Sequence, residues 1–386
     1  KSEIRNQKLV ATMWLRRTMG ITSASGRDNL RVYVGTYTRG ESEGIYLLDL
    51  DLKTGALTSR GLVARAENPS FLALHPDGGH LYAANEVSRF LGKRSGGVSA
   101  FRIDRKTGSL RFLNRQLTRG GAPCYIAVDG AGSNVLVANY GGGSVAVLPI
   151  RENGKLKKPS AFVQHVGSGP DPTRQEGPHA HSIRVDAANR FALAADLGLD
   201  KVQIYRYDPR NGALTANDPP HAAVSPGAGP RHLAFHPNGE SVYLVNELDL
   251  TVTAFQYDGE RGALSIIQTI STLPGDVEDG YSGADIHVHP TGRFLYASNR
   301  GHDTIAVFAI DSDSGRLTAV GYEPTRGRTL RNFAIDPTGR FLLVANQDSD
   351  SVVVFGIDQE TGGLTPTGET ANVPSPVCIR FVQGEE

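Results

Sequence analysis

Apolar residues come in short runs along almost the whole chain, alternating with polar ones and stopping at Gly, Pro, Asn and Asp. Val98-Ser99-Ala100-Phe101-Arg102-Ile103 and Ile305-Ala306-Val307-Phe308-Ala309-Ile310 are examples. A period near two predicts strands, and the punctuation predicts tight turns between them. Helical periodicity is almost absent. Gly229 to Leu248 shows the unit. Leu233 and Phe235 alternate with small or polar residues, His236-Pro237-Asn238-Gly239 is turn chemistry, and Val242 to Val245 is a second apolar run. An antiparallel hairpin sets the start of its first strand beside the end of its second. Arg231 and His232 are therefore expected near Asn246 and Glu247.

The unit repeats. Gly-x-Leu occurs at Gly55, Gly108, Gly154, Gly212, Gly262, Gly315 and Gly362, at intervals of 46 to 58 residues. The other turn recurs as His75-Pro76-Asp77-Gly78, Asp129-Gly130, Asp186-Ala187, His289-Pro290-Thr291-Gly292 and Asp336-Pro337-Thr338-Gly339. Two hairpins per repeat of about 50 residues predict an all-β fold, a seven-bladed β-propeller with four antiparallel strands per blade. We label these strands A to D from the axis outward. Val32-Tyr33-Val34 reads as a strand B without its A, and Pro376 to Phe381 as an A without its B. Pairing the two closes the ring and removes its open edges. The propeller is expected to occupy residues 29–386. Residues 1–28, cationic around a short apolar piece, read as an N-terminal extension, either disordered or the remnant of a targeting segment.

Comparing the repeats with one another separates scaffold from site. One and three residues before the reference position at the A–B turn, every repeat is apolar, as in Phe235 and Leu233 or Val288 and Ile286. Five residues before it, the column reads Ser70, Cys124, His181, Arg231, Ala284, Arg331; four before it, Phe71, Tyr125, Ser182, His232, Asp285, Asn332. Strand B ends mostly in Asn, a backbone-capping residue. The residue after it varies: Tyr37, Glu86, Tyr140, Leu197, Glu247, Arg300, Gln347. The variable columns share one rim of the central channel. They are expected to bring together His181, Arg231, His232, Glu247, Asp285, Arg300, Arg331 and Gln347, with Tyr140, His179 and His287 beside them. The long segments Val87 to Gly97, Gly167 to Pro178 and Pro274 to Gly283 fall on the same rim, where binding loops usually sit.

The 40 basic and 40 acidic residues cancel, which argues against a nucleic-acid or anionic-membrane binder. No apolar run approaches the roughly 20 residues of a spanning helix. Cys124 and Cys378 make no disulfide framework, so a reducing, cytoplasmic setting is the default. A monomer or weak oligomer is expected. His179-x-His181 and His287-x-His289 each place two imidazoles on one strand face, but a metal would want further convergent ligands. His75, His236 and His289 read as turn residues, Cys124 as a small core residue, and Gly141-Gly142-Gly143 as a turn lacking the Lys and helix of a phosphate loop. No metal and no cofactor are expected. Arg in excess of nearby carboxylates at one mouth points to a small anion, since guanidinium forks suit phosphate and carboxylate. The plainer reading of the cluster is a set of inter-blade ion pairs.

His179-Ala180-His181-Ser182, Gly229-Pro230-Arg231-His232, Val245-Asn246-Glu247-Leu248, Asp285-Ile286-His287, Ser298-Asn299-Arg300 and Ala345-Asn346-Gln347 resemble the seven-bladed lactonase family. That family holds propeller-type 6-phosphogluconolactonases and fungal carboxy-muconate lactonizing enzymes. The resemblance covers nearly all of residues 30–384 and implies metal-independent catalysis with His181, Arg231, Glu247 and Arg300 as catalytic residues. The segment Gly167 to Pro178 does not follow the family pattern. The leading expectation is hydrolysis of a sugar lactone, 6-phosphogluconolactone first. Glu247 or His181 would take the proton from water and Arg231 would face the carbonyl oxygen. Arg300, Arg331 and Gln347 would hold phosphate or carboxylate. His232, Asp285, His287, Tyr140 and His179 would complete the substrate contacts. A carboxy-muconate lactonizing cycloisomerase would need the same anion clamp and one acid/base. A non-enzymatic binding platform would instead need rim anchors such as Phe90, Tyr281 or Tyr140.

Overall fold

The structure is a computed structural model that describes residues 29–383; the expected extension, residues 1–28, lies outside them. The strands form seven four-stranded antiparallel sheets, each a blade. The innermost strands A are Pro69–Leu74, Pro123–Val128, Ala180–Val185, Pro230–Phe235, Ser282–Val288, Leu330–Ile335 and Pro376–Gln383. The last of these pairs with Asn29–Thr36, whose sheet continues through Gly44–Asp51 to Leu57–Arg65. Ring closure is therefore as the two chain ends implied.

Burial follows position in the blade. Strands B such as Ser241–Asn246 and Phe341–Asn346 are buried at every residue, because a neighbouring blade covers each face. They read as continuous apolar runs for that reason. Outer strands such as Leu57–Arg65 are half-buried or exposed, and they carry the polar residues.

Repeated side-chain bonds lock blade to blade. The turn imidazoles of His75, His236 and His289 reach the carbonyls of Gly132, Gly292 and Gly339 in the next blade at 2.8–2.9 Å. Gly292 has φ +77°, and a Cβ there would lie 2.7 Å from His236 Nε2, so neither the backbone nor the space admits another residue. The hydroxyls of Tyr33, Tyr82, Tyr243 and Tyr296 donate to the carbonyls of Gly108, Gly154, Gly315 and Gly362. The His-Pro and Gly-x-Leu signals are thus two halves of the same stapling.

One irregularity aims the site. Pro230 pairs with Asn246 and His232 with Val245, leaving Arg231 as an extra residue opposite no partner. The same bulge falls at Ser70, Cys124, His181 and Arg331. Regular alternation would send Arg231 and His232 to opposite faces of the blade. The bulge lets neighbouring side chains both turn into the channel. Strand-end Asn246, Asn299 and Asn346 donate to Thr251 Oγ1 and to the carbonyls of Thr272 and Thr325, which fixes the rim loops.

Tyr243→Phe keeps the ring but strands the Gly315 carbonyl. It should lower stability by about 1 kcal/mol, read as a lower urea midpoint with an unchanged slope.

Candidate active site

Glu247, just past the end of strand B, sits at the centre of the mouth. Its Oε2 accepts from Arg231 Nε at 2.8 Å and lies 3.1 Å from Arg300 Nη2. Its Oε1 accepts from Arg174 Nη2 at 2.5 Å. Both Glu247 and Arg231 are buried, at 4% and 1% exposure. Arg231 also donates to the Ala284 carbonyl and Arg300 to the Gly283 carbonyl. Burial alone would raise the Glu247 carboxyl, but Arg300 and Arg231 outweigh it and hold the group well below the usual carboxylate range. Arg300 Nε is buried with no hydrogen-bond partner among the described residues, an unspent donor inside the mouth.

His181 Nε2 lies 3.7 Å from Glu247 Oε2, too long for a direct bond. A water beside both could bridge them at ordinary distances. Burial and the charge of Arg231 lower the His181 imidazole well below its ordinary value, so it is neutral near pH 7. Cys124 Sγ donates to the His181 carbonyl at 3.3 Å, and burial pushes its thiol up. This is the inert core cysteine the sequence suggested. Tyr140 stacks on His179 at 4.5 Å and meets the edge of His181 at 5.3 Å.

Deeper in the channel, His232 Nδ1 is 2.8 Å from Asp285 Oδ1, and His287 Nε2 is 3.0 Å from Asp285 Oδ2. Asn332 donates to the same carboxylate. Burial and Arg231 push the His232 imidazole down to about 3. Its Nε2 has no partner.

Across the mouth, Tyr37 donates to Glu86 at 3.0 Å, and Arg331 lies 3.9 Å from Glu86 and over the Tyr37 ring. Glu86 does have a charged partner, supplied from another blade rather than from its own strand A.

Two expected residues fall elsewhere. Gln347 opens a short 3-10 turn and donates its amide to Asp348 Oδ1 at 3.0 Å rather than to the Glu247 cluster. His287 sits on the far side of Asp285 and lines the cavity at the opposite opening, since regular alternation resumes after the bulge. The expected anchor Phe90 is buried, packed against Gly97.

Arg174 was missed. It lies in the Gly167 to Pro178 loop, 38% exposed, where no repeat offers a column for comparison. Its neighbour Gln175 is fully buried and anchors the loop by donating to the Leu197 carbonyl and to Asp200 at 2.8 Å. The available signal was the loop's length on the binding rim together with its one arginine.

Fold and site together define a class: a propeller whose channel is closed at one end by a cluster of Arg, Glu and His. A family model described as "Lactonase, 7-bladed beta-propeller" matches residues 31–381. The chain belongs to the seven-bladed β-propeller lactonase family. It is 42% identical over 350 residues to a 6-phosphogluconolactonase of Bacillus subtilis, covering 91% of this chain and 97% of the relative. A 6-phosphogluconolactonase of Formosa agariphila is 37% identical over 309 residues, 79% of this chain and 86% of the relative. Among solved structures, the periplasmic gluconolactonase PpgL of Pseudomonas aeruginosa superposes with TM-score 0.87 at 37% identity, covering 92% of this chain and 99% of that one. Among the described residues, no helix is long and apolar enough to cross a membrane.

Glu247→Gln leaves Arg231 buried beside a neutral group and should cost about 3–5 kcal/mol of stability. Arg174→Ala removes an exposed partner and should cost at most about 1 kcal/mol. Denaturant titrations of the two variants check the contrast. The lowered His181 and His232 values work in one direction on pH. Their contribution is complete above the ordinary value of about 6.5 and is lost as pH falls below it, for His232 down to about 3. The melting midpoint should therefore drop between pH 7 and 5, and His232→Asn should flatten that slope.

Proposed function

We propose that the chain hydrolyses 6-phosphogluconolactone to 6-phosphogluconate at this mouth. The observation that carries the proposal is a charge imbalance. Among the described residues, Arg174, Arg231, Arg300 and Arg331 are ion-paired with Glu86 and Glu247, the floor carboxylate Asp285 is taken up by His232 and His287, and Arg300 Nε has no hydrogen-bond partner. The surplus matches a phosphate monoester, which carries close to two negative charges at neutral pH. The names of the relatives support the same substrate.

In this reading Glu247, kept ionised by Arg300 and Arg231, holds three arginines in place and orients the attacking water. His181, neutral and within reach of a water shared with Glu247, takes the proton as that water attacks the lactone carbonyl. Arg231 stabilises the oxyanion that develops on the carbonyl oxygen. The ring C–O bond then breaks, and the proton passes from His181 to the departing hydroxyl. Arg300, Arg331 and Arg174 hold the phosphate, with Arg174 in the role first expected of Gln347. His232, oriented by Asp285, lines the floor beneath His181 at a ring distance of 5.1 Å. Tyr140 and His179 form the wall. Two free, buried cysteines suit a reducing compartment, and with a phosphorylated substrate they favour the cytoplasm.

Purified protein should form 6-phosphogluconate well above the spontaneous rate; no such excess overturns the proposal. Arg331→Ala should lower kcat/KM for 6-phosphogluconolactone by roughly 10- to 100-fold, the worth of one charge-assisted bond. The loss on unphosphorylated glucono-lactone should be clearly smaller. Equal losses on both substrates would remove Arg331 from the phosphate site.

A further inference from the structure

The channel has a second charged layer that the reaction does not use. Below the bulge, one position of each strand A points to the axis. It is the residue directly across from Tyr33, Tyr82, Leu136, Leu193, Tyr243, Tyr296 and Leu343 on strand B. In four blades it is alanine: Ala73, Ala127, Ala234 and Ala334. In the other three it is Arg184, His287 and Arg380. One or two alanines separate each of these three from the next around the ring, so the basic side chains converge and the alanines leave room between them.

The room is real. A cavity of about 640 Å³ opens on the A–B turn side, away from Glu247, and is lined by Arg184, His287, Arg380 and three of the alanines. That volume lies within the range of about 300–1,000 Å³ typical of small-molecule sites. Arg184 is held by its Nε on Tyr125 Oη at 2.7 Å, and Arg380 by its Nε on the Leu72 carbonyl at 2.9 Å and by the Phe71 ring. Neither is paired with a carboxylate among the described residues. Asp336, which lines the cavity, is spent on the backbone N–H groups of Thr338, Arg340 and Phe341, and Asp285, whose charge reaches Arg184, is bonded to His232, His287 and Asn332.

We propose that this chamber is a second anion-binding site, separate from the reactive mouth, that takes a small phosphate or carboxylate. Two preoriented guanidinium groups and an imidazole surround the anion, and the alanine positions accept its attached carbon skeleton. Asp285 stands between the two sites, with His287 on the chamber side and His232 on the mouth side. The anion site is thereby joined to the floor of the mouth by one carboxylate.

Calorimetric titration of the whole chain with inorganic phosphate at low ionic strength tests this. Wild type should bind two equivalents. Arg184→Gln with Arg380→Gln keeps an amide donor for Tyr125 and Leu72 but removes the charge. It should lose one equivalent, while Arg300→Ala with Arg331→Ala should retain that same equivalent. Binding in the Arg184/Arg380 variant identical to wild type, or no binding in the Arg300/Arg331 variant, overturns the proposal. A single wild-type equivalent lost with Arg184 and Arg380 would uphold the chamber and count against the phosphate reading of the mouth. Where the double variant fails to unfold cooperatively, each single Gln variant should still weaken the chamber by about tenfold or more.

Discussion

The contact on which the mouth depends is the buried carboxylate of Glu247. Arg231 and Arg300 come from different blades, and Arg174 comes from a loop; one side chain pairs with all three. Removing several charges from water is costly, and a cluster of this kind persists only when each member finds its partner. The cluster leaves one deliberate shortfall, the positive surplus around Arg300. Under the proposed function a substrate anion makes up this shortfall, so binding and charge compensation become the same event.

Much of this was legible because the chain repeats. A position that serves the scaffold looks alike in every blade, and a position that serves a site departs from the rest. His236, Gly239 and Asn246 repeat in kind; Arg231, His232 and Glu247 do not. Comparison between blades therefore picked out the Glu247 cluster and the ring closure. It failed where the repeat gives no register. Arg174 sits in a loop with no counterpart, and Gln347 was carried with its column although it opens a 3-10 turn and bonds to Asp348. The bulge was invisible for the opposite reason. It occurs throughout, so it produces no contrast, yet it alone explains why Arg231 and His232 can share a channel.

The same logic extends one layer down. His287 was read with the mouth because it follows Asp285 in sequence. It lines the lower cavity together with Arg184 and Arg380, which occupy the equivalent strand position in other blades. Four alanines in that ring mark the default, and three basic residues mark the exception. Arginines thus line the channel at two levels, with Asp285 between them.

The closing strand has a consequence for synthesis. Asn29–Thr36 is among the earliest of the described segments to leave the ribosome, and its partner Pro376–Gln383 is the last. During translation the first blade waits with an unpaired edge, and the central residues of the mouth already emerge before the ring can shut. Such an edge invites pairing with other nascent chains. Growing blades that pack in order against one another limit this exposure, and the final strand converts an open arc into a ring only when the whole described chain has been made.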